Sequence, residues 1–152
     1  MKNLQYALWP VLILLPESLK AQSTELYPQA EVGSVGLFGG TGLLEMRNAR
    51  FSNDGELAIG VGQAGGGQNY YATWQATPWL ETTLRFSDYN KPSDGIDKGL
   101  DIKLRLLEEG KNNPAIAIGL QDMLGDGLFS GEYIVASKRI NDFDITAGFG
   151  FG

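Results

Sequence analysis

From Glu56 onward the chain alternates large apolar residues with polar or small ones, in run after run. In "YYATWQAT", Tyr70, Ala72, Trp74 and Ala76 share one face, and Tyr71, Thr73, Gln75 and Thr77 the other. In "LETTLRFS", Leu80, Thr82, Leu84 and Phe86 oppose Glu81, Thr83, Arg85 and Ser87. "LDIKLRLL" sets Leu100, Ile102, Leu104 and Leu106 against Asp101, Lys103 and Arg105. "AIAIGLQ" and "EYIVASKR" continue the pattern, and "FDITAGFGF" closes it with Phe143, Ile145, Ala147, Phe149 and Phe151 on one side. A strand sends successive side chains to opposite faces and a helix does not, so a period of two predicts strands. About seven strands are expected over residues 56–152.

The connections suggest how these strands are joined. "TPW", "EEGKNNP" and "IND" are short or moderate; "GQAGGGQN", "SDYNKPSDGIDKG" and "DMLGDGLFSG" are longer, polar and glycine-rich. Short turns alternating with longer loops fit an antiparallel up-and-down meander that is part of a transmembrane outer-membrane β-barrel. Several runs approach the ~9–11 residues that cross a bilayer at a tilt. Tyr70, Tyr71, Trp79, Tyr89, Phe129, Tyr133 and Phe143 lie near strand ends, where an interfacial aromatic girdle sits. High strand propensity alone also enriches aromatics. The same alternation suits a soluble β-sandwich, whose aromatics would stack on sugar rings. Seven strands ending inside "GFGFG" leave open edges, as expected of the N-terminal part of a longer barrel, a component of an assembly, or a truncated remnant.

The N-terminal region has another character. Lys2, the apolar run "YALWPVLILL" and Ala21-Gln22-Ser23 fit a secretory signal peptide over residues 1–23. The apolar run is too short to span a bilayer as a helix. Export would place the mature chain in the periplasm, the outer membrane or outside. Residues 24–55 read as a periplasmic linker and a glycine-rich segment without clear period, followed by the partial barrel, residues 56–152. The 152 residues contain no cysteine and no histidine. That removes disulfides, His-based triads and ordinary zinc sites, and leaves no thiol for acylation. A net charge of −6 argues against nucleic acid as a partner.

"LAIGVGQAGGG" contains G-x-G-x-x-G at Gly60, Gly62 and Gly65. Dinucleotide binding requires a helix to open there, its N-terminus facing the pyrophosphate. A period-two run follows instead, so the motif is expected to be a hairpin loop. No cofactor is expected.

In order along the chain, "GGTGLLEMRNARFSNDGELAIGV", "YYATWQATPWLETTLRFSDY", "DKGLDIKLRLLEEG", "PAIAIGLQDMLGDGLFSGEYIVASKR" and "FDITAGFGFG" resemble the YjbH family. The resemblance spans nearly all of residues 33–152. It implies a Gram-negative outer-membrane β-barrel associated with exopolysaccharide biosynthesis or secretion, with outer-membrane lipid, exopolysaccharide and export components as partners. Family members run to several hundred residues, so the chain corresponds to their N-terminal portion. The resemblance also implies a proline where Arg47 stands, a departure that removes a bend and weakens the expectation that this segment docks.

No catalytic constellation emerges, and the chain is not expected to be an enzyme. Asp94, Asp97 and Asp101 form one acidic group, Asp122 and Asp126 another. Paired carboxylates can hydrolyse glycosides or hold calcium, but neither group has calcium-loop spacing, and Asp with Gly and Ser more often builds turns on external loops. Glu81, Arg85, Asp101, Lys103 and Arg105 lie on polar strand faces and would point into a barrel lumen. There they could line a path for an acidic polysaccharide, or form a cross-strand charge ladder, the favoured expectation.

Overall fold

The computed structural model describes residues 34–64, 66–89, 96–125 and 130–152. The expected signal peptide, the first part of the linker, Gly65, Asp94, Asp126 and Phe129 lie outside the described residues.

Two short strands, β1 (Gly42–Leu43) and β2 (Met46–Arg47), form a small hairpin. Seven longer ones follow: β3 (Leu57–Ala64), β4 (Gly67–Thr77), β5 (Leu80–Tyr89), β6 (Ile96–Leu107), β7 (Ala115–Gln121), β8 (Gly131–Ile140) and β9 (Phe143–Phe151). Each pairs antiparallel with its neighbour in chain order, giving one all-β meander. The sheet curls into a half-barrel.

Its two faces are inverted relative to a water-soluble sheet. The convex face carries the large apolar residues, among them Leu57, Ile59, Val61, Trp74, Leu84, Phe86, Ile134, Ile145, Phe149 and Phe151, all well exposed. Among the described residues no second sheet covers this face; the only other one is the β1–β2 hairpin. The concave face is buried and polar. The largest fully buried side chains are Arg85, Gln75, Asn69, Thr41, Thr83, Ser87 and Ser137. The apolar core is small by comparison: Ala49, Phe51, Ala115, Ala117 and Val135, with Tyr133 against it.

Residues 34–52 bury the concave face. They lie across it as a strap folded on itself: Leu37 N–H donates to Leu44 C=O at 2.7 Å, and Gly42 N–H to Ser34 C=O at 2.8 Å. Two glycines allow the close fit. Gly39 has φ +75° and a Cβ there would meet Tyr71 and Thr83; a Cβ on Gly62 would enter the Leu37 carbonyl.

Two sequence expectations are corrected. "GQAGGGQN" is not a long loop: β3 runs to Ala64 and β4 starts at Gly67, with Gln63 opposite Gln68. Gly62 and Gly67 continue the strands because their backbone still pairs, Gly62 opposite Asn69 and Gly67 opposite Ala64. Asp97 is not on an external loop either. It lies in β6 and is buried on the concave face, as is Asp101, whose place on the polar face of that strand agrees with the alternation.

Candidate functional site: a polar groove closed by the N-terminal strap

The period of two fixes which side chains enter the groove. β5 contributes Glu81, Thr83 and Arg85, and β6 contributes Asp101 and Lys103. The register sets Glu81 opposite Lys103 and Arg85 opposite Gly99. Gly99 leaves room for the Arg85 guanidinium, which a Cβ there would approach at 2.8 Å.

The strap enters this network with main-chain and side-chain groups alike. Thr41 N–H donates to Glu81 Oε1 at 3.0 Å, and its hydroxyl donates to Oε2. Lys103 Nζ lies 3.6 Å from Glu81 Oε1 and donates to the carbonyls of Thr41 at 2.9 Å and Arg50 at 2.5 Å. Gly40 N–H donates to Thr73 Oγ1 at 2.8 Å. Buried charges persist where partners and hydrogen bonds surround them, and Glu81, Arg85, Asp101 and Lys103 each have such a partner.

Two arginines of the strap act as clasps. Arg47 donates to Asp101 at 3.0 Å and to the Gly39 carbonyl at 2.5 Å. With its amide oxygen turned inward, Gln121 accepts from Arg47 at 2.7 and 2.9 Å. Arg50 pairs bidentately with Asp144 at 2.7 and 3.1 Å and also with Glu109. Burial would raise the Glu109 carboxyl, but donation from Arg50, the Arg139 amide and Lys138 outweighs it and holds the carboxyl below its usual value. The expectation that Arg47 would weaken docking is corrected: lacking a proline's bend, the position supplies a charge-assisted bond instead.

Near Arg50 the strap gains apolar contact. Ala49 and Phe51 are 2% and 9% exposed, whereas Leu43, Leu44 and Met46 of the hairpin are 51%, 75% and 64% exposed. Lys103 Nζ and the Arg105 guanidinium each sit 4.5 Å from the Phe51 ring centroid. Ala49 N–H donates to Ser137 Oγ at 2.9 Å.

Of the residues expected to face inward, Glu81, Arg85, Asp101 and Lys103 are buried in the groove, and Arg105 is half-buried beside Phe51. Arg85 reaches Asp101 at 3.3 Å and Asp122 at 3.9 Å, and Asp122 N–H donates to Asp101 at 2.9 Å. The groove is not a cationic track. Glu81, Asp97 and Asp101 of β5 and β6, with Asp122 just after β7, outnumber Arg85, Lys103 and the half-buried Arg105, and Arg47 pairs with Asp101. Among the described residues no group of three or more acids gathers to hold a metal ion. Asp97 is buried, with no hydrogen-bond partner for either carboxylate oxygen.

The aromatic expectation divides. Tyr70, Trp79 and Phe143 are exposed at 46%, 52% and 73%. Tyr89 is half-buried at the end of β5, its ring against Gly67. Tyr71 and Tyr133 point into the groove and cannot belong to an outward girdle: Tyr71 lies over Gly60, and Tyr133 over Gly119. Glycine beside an aromatic ring fills the sheet from within. Phe149 and Phe151, at the end of β9, are further outward aromatics that the expected set did not include.

A single curled antiparallel meander with an apolar convex face and a polar, strapped concave face defines an all-β half-barrel. The chain belongs to the YjbH family: the family model described as "Exopolysaccharide biosynthesis protein YbjH" matches residues 34–152. It is 40% identical over 139 residues to the "Uncharacterized lipoprotein YjbH" of Escherichia coli (strain K12), an alignment covering 84% of this chain and 20% of that protein. The chain thus spans about a fifth of that relative's length. No solved structure matches it.

Proposed function

We propose that residues 56–152 form part of the wall of an outer-membrane β-barrel, and that the chain serves exopolysaccharide export as a wall rather than a catalyst. The inversion of the sheet carries this proposal. Large apolar side chains stand exposed on every strand from β3 to β9, and lipid is the solvent that suits such a face. Charges on the convex side, Asp88, Lys98 and Glu132, lie toward strand ends, where headgroups and water would meet them. The family description supports the tie to exopolysaccharide. The relative's name, lipoprotein, supports a membrane setting.

Membrane fractionation of the native protein tests this. Retention in the outer membrane through carbonate and urea washes, with a mobility shift between heated and unheated gels, is the expected result. Extraction by carbonate, or recovery in the soluble periplasm, would sink it.

A further inference from the structure

We propose that residues 36–47 are a displaceable plug, hinged on the anchored residues 48–51, that occupies the groove in place of a saccharide segment. This rests on the export function proposed above. The strap has two unlike halves. Residues 48–51 are held by burial: Asn48, Ala49, Arg50 and Phe51 are all buried, and Phe51 joins the apolar core. The leaf over residues 36–47 has no large apolar side chain in that core, and Leu43, Leu44 and Met46 stand exposed. It is held by hydrogen bonds and the Arg47 clasp. Segments with few buried apolar contacts open at the low end of a protein's stability range.

The surface beneath the leaf is suited to sugar. Lifting it uncovers the hydroxyls of Thr73 and Thr83, the Tyr71 ring, and the Glu81–Lys103 pair. The leaf satisfies these groups with amides, carbonyls and one hydroxyl, each uncharged. Sugar hydroxyls donate and accept in the same way, and a tyrosine face accepts a pyranose ring. With Lys103 paired to Glu81 and Arg85 to Asp101 between strands, and Asp97 buried nearby, the groove favours hydroxyl contacts over capture of a polyanion.

The absence of native cysteine makes the test direct. Thr41→Cys and, separately, Ala49→Cys are placed in the native protein in its own membrane. Both positions are buried, at 0% and 2% exposure. Labelling by a membrane-impermeant maleimide is timed in cells making polysaccharide and in cells where polymer synthesis is blocked. The thiol of the Thr41→Cys variant is expected to label several-fold faster in producing cells, while that of Ala49→Cys stays protected in both. Adding Arg47→Ala to Thr41→Cys is expected to speed its labelling roughly ten-fold, the scale of one lost charge-assisted bond. Equal protection at position 41 in every strain, Arg47→Ala included, would overturn the plug. So would labelling at position 49 in step with position 41. Deleting the gene separates the two proposals: unchanged export in the deletion strain defeats the export function, whereas the response of the Thr41→Cys thiol to Arg47→Ala still judges the leaf.

Discussion

Lys103 Nζ stands 3.6 Å from Glu81 Oε1 and at the same time caps the carbonyls of Thr41 and Arg50. One ammonium thus ties two strands to both halves of the strap. Lys103→Met would leave Glu81 buried without its cation and the two carbonyls without a donor. Breaking a buried pair from one side costs about 3–5 kcal/mol. The temperature of the heat-induced gel shift should fall sharply, and Glu81→Gln added to Lys103→Met should restore part of it. An unchanged temperature in the single variant would mean that Lys103 is not a joint.

The Arg50 clasp should be sensitive to acid. The Glu109 carboxyl is held below its unfolded value, so the unfolded chain takes up the proton first as pH falls. Stability from this group is therefore complete above the ordinary carboxyl value of 4.5 and drains away as pH drops through the lower folded value. Urea midpoints in detergent, measured from neutral to acid pH, should show native protein and Glu109→Gln converging at the acid end. A gap that stays constant with pH would place the stabilisation elsewhere.

Phe51 anchors the strap through burial and two cations over its ring. Phe51→Ala should cost about 3 kcal/mol, the low end for removing a buried aromatic. Phe51→Leu should cost less, keeping most of the apolar volume while losing cation–ring attraction of roughly 0.5–1 kcal/mol per pair. Urea midpoints of the two variants, compared with and without Arg105→Gln, separate the terms. Equal losses in both variants would assign the anchor to something only the ring supplies.

Leu84 lies on the convex face at mid-strand and is 51% exposed. In a lipid setting Leu84→Arg should cost about 2–4 kcal/mol and deplete the folded, heat-shifting band. In a soluble protein the same change would improve solubility. The direction of the effect distinguishes the environments without reference to function.

Much of the sheet was legible because alternation is geometric. Glu81, Arg85, Asp101 and Lys103 share a face by counting alone, and the structure buries that face. Tyr71 and Tyr133 lie near strand ends, yet parity sets Tyr71 with Thr73 and Gln75, and Tyr133 with Val135 and Ser137, on the concave side. The strap escaped for a different reason. It joins no ladder of the main sheet and binds through individual amides, carbonyls and guanidinium groups, which leave no period. A faint signal existed: Arg47 and Arg50 stand in a glycine-rich stretch ahead of strands whose polar face carries Glu81, Asp97, Asp101 and Asp144.

The strap also carries a consequence for the order of folding. Its bonds reach far along the chain: Thr41 to Glu81 across 40 residues, Ala49 to Ser137 across 88, and Arg50 to Asp144 across 94. The earliest described part of the chain must therefore wait for the last strand before all its contacts exist. Closing so long a loop carries an entropic cost before any contact offsets it. Until then the concave face is hydrated, and the sheet is assembled but unsealed. Slow hydrogen exchange at the Ala49 amide, whose acceptor belongs to β8, would thus time the moment at which the interior dries.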